Sequence, residues 1–310
     1  MNRRQTIPKE LRYTRAQFDR DFPNDATCLE TIKQERWPSG MIYCETCEKE
    51  RKHYRVKGRT AYACDRCGNH IYPLAGTIFE KSSTSLRIWF QAMYLMGSTR
   101  CGISAKQIQR ETGVTYKTAW RMFKQIRSLL DEDIPLSGNS VEMDDTFIGG
   151  RRRKNVADTM ANKSIVVGMV ERRGRVKAVI ADDNTRQTLH DLAKEHILPK
   201  SVVFTDDAAA FHKLERQGFN HARINHSQGV YVYGNIHTNT IEGFWSLVKR
   251  GLGGVYHSVS KKYLQSYLNE YSFRYNRRES GNLIFASILQ RVSEMASPRP
   301  ALIIEKNLTS

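Results

Sequence analysis

The chain is short of acid. Its 310 residues carry 32 Asp and Glu against 49 Lys and Arg, a formal charge of +17. That imbalance favours a polyanionic partner, because Lys and Arg release counterions from phosphates. Long apolar runs are missing as well. None approaches the roughly 20 residues that a spanning helix needs. The opening MNRRQTIPKELRYTRAQFDRDF has no apolar signal-peptide core. A membrane surface, the other home for excess positive charge, is thereby disfavoured, and nucleic acid is left. Internal repeats and long low-complexity tracts are also lacking. Cysteine is scarce, with six in the whole chain and four of them in two pairs. This is no disulfide framework; it fits metal ligation in a reducing compartment.

What is present changes character along the chain, which is long enough for two or three cores. Residues 1–84 are rich in cysteine and base, 85–133 read as helical, 139–280 alternate strands and helices, and 281–310 form a helical tail. DEDIPLSGNS, 131–140, mixes acid, Pro, Gly and Ser and reads as a linker. CETC (Cys44, Cys47) and CDRC (Cys64, Cys67) lie sixteen residues apart. Each pair can place two thiolates on one Zn²⁺, and the separation leaves room for a β-hairpin, as in a zinc ribbon. Four thiolates complete a tetrahedron, so His53 and His70 are not needed and the site is structural. Cys28 and Cys101 have no partner at ligand spacing and read as small hydrophobes.

SAKQIQRETGVTYKTAWRMFKQIRSLL, 104–130, reads as two helices. Ser104 and Gln107 have capping-box spacing, Gly113 marks a turn and Thr115 caps the second helix. Ile108 points inward, as do Ala119, Met122, Phe123, Ile126 and Leu130, while Lys117, Arg121, Lys124 and Arg127 occupy the other face. A helix-turn-helix has this pattern, and so does any helical hairpin; the ribbon and the charge favour DNA.

From residue 140 the pattern turns α/β. SVEMDDTFIGG is a strand, KSIVVGMVERRGRVKAVIADD two strands around Arg172-Arg173-Gly174, TRQTLHDLAKEHI a helix and SVVFTDD a strand ending on acids. A mixed sheet with flanking helices follows. Acids at buried strand ends are costly unless neutralised. Adjacent strand residues face opposite ways, so one acid of each pair serves a shared site. Asp144 and Asp206 are chosen because each directly follows apolar strand. Glu142, on the same side as Asp144, competes, and Asp207 is also placed to cap a helix in AAAFHKLERQ. Farther on, TNTIEGFWSLVKR, 238–250, sets Asn239, Glu242, Ser246 and Lys249 on one helical face. A plain amphipathic surface helix would look the same.

Four phrases in order behind a ribbon are distinctive: VEMDDTFIGG, FTDD, HTNTIEGFWSLVKRGLGGVYH and YLNEYSFRYNRR. Together, from about residue 18 to about 278, they resemble the bacterial insertion-sequence DDE transposases. The resemblance implies a multidomain α/β protein: zinc ribbon, helix-turn-helix, then an RNase H-like catalytic domain. It implies Asp144, Asp206 and Glu242 as ligands of Mg²⁺ or Mn²⁺, with Lys249 clamping DNA and Asn239 or His237 as other occupants of the third position. DNA contacts are expected from Lys117, Arg121 and Lys124, and contact or site support from Arg274 and Arg277 in the Glu-x3-Arg-x2-Arg run beginning at Glu270. The basic GGRRRKN, 149–155, is placed to track a backbone. The implied function is binding of an element's terminal inverted repeats, 3′-end cleavage and strand transfer into target DNA. It is implied to act as at least a dimer, in the bacterial cytoplasm at the nucleoid and away from membranes. An inert DNA-binding regulator and a structure-specific nuclease are the alternatives.

Overall fold

Short polar caps start the chain's first helices. The computed structural model describes residues 13–99, 101–137, 140–149, 163–224, 237–279 and 283–296. Thr14 caps α1 (Arg15–Asp21) with a full capping box, and Asn24 caps α2 (Asp25–Arg36). Four antiparallel strands follow in sequence order: β1 (Met41–Cys44), β2 (Lys49–Arg55), β3 (Tyr62–Cys64) and β4 (His70–Ile71). Gly58, at φ +74°, turns β2 into β3. In α3 (Leu86–Ser98), Trp89, Phe90 and Met93 are fully buried. Together with the last helix, Arg12–Leu95 make one compact unit.

The second unit spans Met96–Ile284. It begins with α4 (Ala105–Thr112) and α5 (Tyr116–Ser128), joined across Gly113 at φ +73°. A five-stranded sheet follows, made of β5 (Val141–Gly149), β6 (Lys163–Glu171), β7 (Val176–Ala181), β8 (Val202–Asp206) and β9 (Asn220–Ile224), with α6 (Arg186–His196) between β7 and β8. The strand order is β7-β6-β5-β8-β9, antiparallel across the first three and parallel from β5 to β9. β9 was not expected from the sequence: NHARI is an edge strand without apolar alternation. The helix expected in AAAFHKLERQ is two 3₁₀ turns instead, broken where Lys213 adopts φ +71°.

Helices cover both sheet faces. On one, Met143, Val167 and Val203 pack against Leu189 and Ala193 of α6. On the other, Val166, Val170 and Ala178 meet α7 (Asn239–Gly251) and α8 (Lys261–Asn276). A π-helical segment, Leu252–Tyr256, follows α7. Finally α9 (Leu283–Ala296) returns to the first unit, where Phe285 sets its ring 5.6 to 6.2 Å from those of Phe18, Phe22, Phe90 and Tyr94. Among the described residues no helix is long and apolar enough to cross a membrane.

Candidate functional site

β5 alternates its side chains, so Val141 and Met143 face α6 while Glu142, Asp144 and Thr146 face α7. Each of the latter meets a residue of α7. Ile241 N donates to Glu142 Oε2 at 3.0 Å, Trp245 Nε1 to Asp144 Oδ2 at 2.9 Å and Lys249 Nζ to Thr146 Oγ1 at 2.7 Å. Two strand residues advance about 6.7 Å and four helical residues about 6.0 Å. The near match lets strand and helix bond rung by rung.

At the first rung Glu142 is held by protein partners on several sides. Glu142 is fully buried and accepts from Thr240 N (2.7 Å), Thr240 Oγ1 (2.8 Å) and Arg172 Nε (2.7 Å) besides Ile241 N. His237 Nδ1 lies 3.2 Å away, and Arg172 also donates to the His237 carbonyl at 2.8 Å. Thr238 makes no side-chain cap. A carboxylate from the strand therefore caps α7, satisfying orphan N–H groups at the positive end of its dipole. This partner was not legible beforehand, because Arg172 reads in the sequence only as part of a turn.

Asp144 is half-buried and not so compensated. Burial pushes its carboxyl up to about 7; the Trp245 hydrogen bond pulls it down, and the charges of Asp206 and Asp145 push it up. Asp145, whose side chain accepts from Asn184, is raised as well, by burial first and then by Asp206. β5 and β8 pair only at Val141↔Val203 and Glu142↔Phe204. Two residues on, the same register carries Asp206 to the face of Asp144, beyond the last pair, where the strands have parted. Such a gap at the carboxyl ends of parallel strands is where open α/β sheets bind ligands. Asp207 is exposed and pairs with Arg223 (3.2 Å), while Asp206 accepts from Ala208 N.

Asn239, Glu242, Ser246 and Lys249 form one exposed stripe. Glu242 accepts from Thr238 Oγ1 at 3.2 Å, and Lys249 alone of the four reaches β5. Asp144, Asp206 and Glu242 are not drawn into one cluster: among the described residues only the four cysteines lie within reach of a single ion. Their sulfurs are all within 4.8 Å of one another, with Cys44–Cys67 at 3.4 Å and Cys47–Cys64 at 3.9 Å. A zinc tetrahedron with bonds of about 2.3 Å has edges of about 3.8 Å, so the set fits. Arg66 N and Asn69 N point at Cys64 and Cys67 sulfurs, each at 3.5 Å, as thiolates require.

The helical pair keeps its expected caps, with Ser104 accepting from Gln107 N and Thr115 from Thr118 N. Lys117, Arg121 and Lys124 are exposed on α5. Arg127, read from the sequence as part of that face, is buried and donates to Glu270 at 2.6 Å. Arg274, expected at a DNA backbone or in support of the site, is also buried. It donates to Glu270 at 2.8 and 3.0 Å and to the Thr99 carbonyl. It belongs to the interior, where Glu270 ties α5 to α8. Arg277 is partly exposed and pairs with Glu132 at 2.8 Å. Of the basic run 149–155, all but Gly149 lies outside the described residues.

Residues 135–276 match the ISXO2-like transposase domain and residues 23–70 the transposase zinc-ribbon domain. The chain is 29% identical over 274 residues to an uncharacterized protein in transposable element ISH50 of Halobacterium salinarum, covering 82% of this chain and 91% of that one. It is 30% identical over 118 residues to an uncharacterized transposase-like protein of Haemophilus influenzae, 38% of this chain and 93% of the relative. A chain from the crystal structure of a pre-cleavage Mos1 transpososome overlaps 62% of this chain and 73% of its own length, with 9% identity and a TM-score of 0.29. The chain belongs to the ISXO2-like transposase family.

Proposed function

We propose that this chain binds the ends of an insertion element, cleaves their 3′ ends and joins them to target DNA, with an RNase H-like domain as the catalyst. The observation that carries this reading is Asp144 beside Asp206, on one face, where β5 and β8 part. An acid pair that burial leaves undercompensated suits a hard divalent cation. Asp144, Asp206 and Glu242 would hold Mg²⁺ or Mn²⁺, which supplies an activated nucleophile and stabilises charge on the phosphoryl group. Glu242 is preferred as the third ligand because its carboxylate is the harder donor; Asn239, a turn earlier, is the substitute. Lys249, fixed by Thr146 one rung beyond Asp144, positions a phosphate.

In cleavage, a water oxygen bonds to phosphorus and the element's 3′ oxygen leaves with the bonding pair and takes up a proton. In joining, that 3′ hydroxyl attacks a target phosphodiester and displaces the target's 3′ oxygen. Lys117, Arg121 and Lys124 on α5 face the element's terminal repeats, and the ribbon cysteines hold a structural Zn²⁺. Two ends must be brought together, so the active form is at least a dimer on DNA, at the nucleoid. The test is incubation with candidate element ends and Mg²⁺. Asp144→Asn, Asp206→Asn and Glu242→Gln should each abolish nicked and joined products while end binding persists. Normal cleavage by Glu242→Gln with none by Asn239→Ala would move the third ligand one turn. End binding without cleavage by the wild type would make the protein a regulator with an inert domain.

A further inference from the structure

The outer face of the ribbon sheet carries exposed aromatic rings. On β2 the inward His53 is buried, whereas its neighbour Tyr54 is 62% exposed. On the inner face Tyr62 is buried and its hydroxyl donates to Glu30 of α2 at 2.6 Å. Strand pairing places Tyr54 opposite Ala63 and Ala63 opposite His70. Tyr54 and His70 therefore stand in one row, two strand spacings or about 9.6 Å apart, with a single methyl between them. Tyr72, 53% exposed, closes one end, its ring 6.4 Å from that of His70 and edge-on to it. The charge around this slot is mostly basic. KERKHYRVKGRT, from 49 to 60, has six Lys and Arg and one acid, and Lys52 shares the outer face two residues before Tyr54.

We propose that Tyr54, His70 and Tyr72, around Ala63, form a binding site for unpaired DNA bases. In a duplex each base face is covered by its neighbours, so flat rings on a sheet find a π-face only where the strand is unstacked. Base–aromatic stacking is indifferent to sequence, and a flanking basic strand follows the phosphates. An acidic peptide would satisfy the charge but leave the slot between the rings unfilled. The inference rests on the transposase reading only for the source of the unpaired strand, at or beside a cleaved element end.

The experiment uses the full-length, zinc-loaded protein and fluorescence anisotropy with labelled oligothymidylate of about 12 nucleotides, a length within the usual site sizes. A duplex of equal length is measured at the same salt. Tyr54→Leu and Tyr72→Leu should each weaken single-strand binding about ten-fold, and Ala63→Leu, which fills the slot, should do likewise. Tyr54→Phe should retain binding. Tyr43→Leu is the control, because Tyr43 is 58% exposed on the same face but opposite Glu50; it should bind as wild type does. Zinc content equal to wild type excludes misfolding as the cause of any loss. Unchanged single-strand binding in the two leucine variants would overturn the proposal. So would a parallel fall in duplex binding, which would mark a phosphate surface alone, or a loss of self-association with DNA binding kept. If cleavage is never observed while the Tyr54 dependence holds, the catalytic reading fails and this one stands.

Discussion

Asp144 shows what one buried carboxyl does to pH dependence. Its folded value, about 7, lies above the ordinary 3.8. A carboxyl raised in this way favours the folded state while protonated. That contribution is complete below about pH 4 and is lost as pH rises through about 7. Asp144→Asn keeps an oxygen for Trp245 and removes the penalty. It should match wild type in thermal melts at pH 4 and exceed it at pH 8 by about 2 kcal/mol, discounted for partial exposure. A variant less stable than wild type at pH 8 would contradict the assigned burial. Mg²⁺ should raise the melting point of wild type and do so much less for the variant. Alternation alone could not separate Asp144 from Glu142, since both face α7. Only the opposite side distinguishes them: a helix N-terminus with Arg172 for one, a single indole N–H for the other.

Between elements, the fit of α7 to the sheet depends on a glycine. Gly168 on β6 pairs with Asp144, and a β-carbon there would lie 2.5 Å from the Trp245 ring and 2.8 Å from Ile241. Gly168→Ala should push the indole off Asp144, at a cost of about 1–3 kcal/mol, and lower strand cleavage further than the stability loss explains. Activity equal to wild type would mean that the Trp245 contact is dispensable. The ion cluster between α5 and α8 is the second junction. Glu270 is fully buried, and Arg127 and Arg274 hold its carboxyl below the usual range against the opposing effect of burial. Glu270→Gln strands two guanidinium groups and should destabilise by about 3–5 kcal/mol, measured in urea. A neutral result would place those arginines in water. Helix caps and buried stripes were legible here because they are local, at Ser104, Gly113 and Thr115. Arg127 was misplaced because a basic side chain on a helix looks the same whether it faces DNA or a buried acid 143 residues away, whereas the acid that holds Arg274 lies only four residues before it. β9 escaped for a related reason, as its neighbour β8 supplies the ladder that its own sequence does not advertise.

For the molecule as a whole, the ribbon was the most legible part: paired thiolates leave little choice of fold, and the hairpin expected between them is there. Wild type should contain about one zinc per chain, and Cys64→Ser should lose it together with the ribbon's protection from protease. Equal zinc content in both would remove the metal from the account. The return of α9 to the first unit was not legible, since nothing local to Phe285 names Phe18 or Tyr94 as its neighbours. The capping of α7 by Glu142 has a further consequence. The helix receives its address from the strand residue that caps it. One residue inserted between Trp245 and Lys249 would swing that lysine by about 100° and off Thr146. In this family the interval from second acid to third should be the elastic number, and the count within the helix the rigid one.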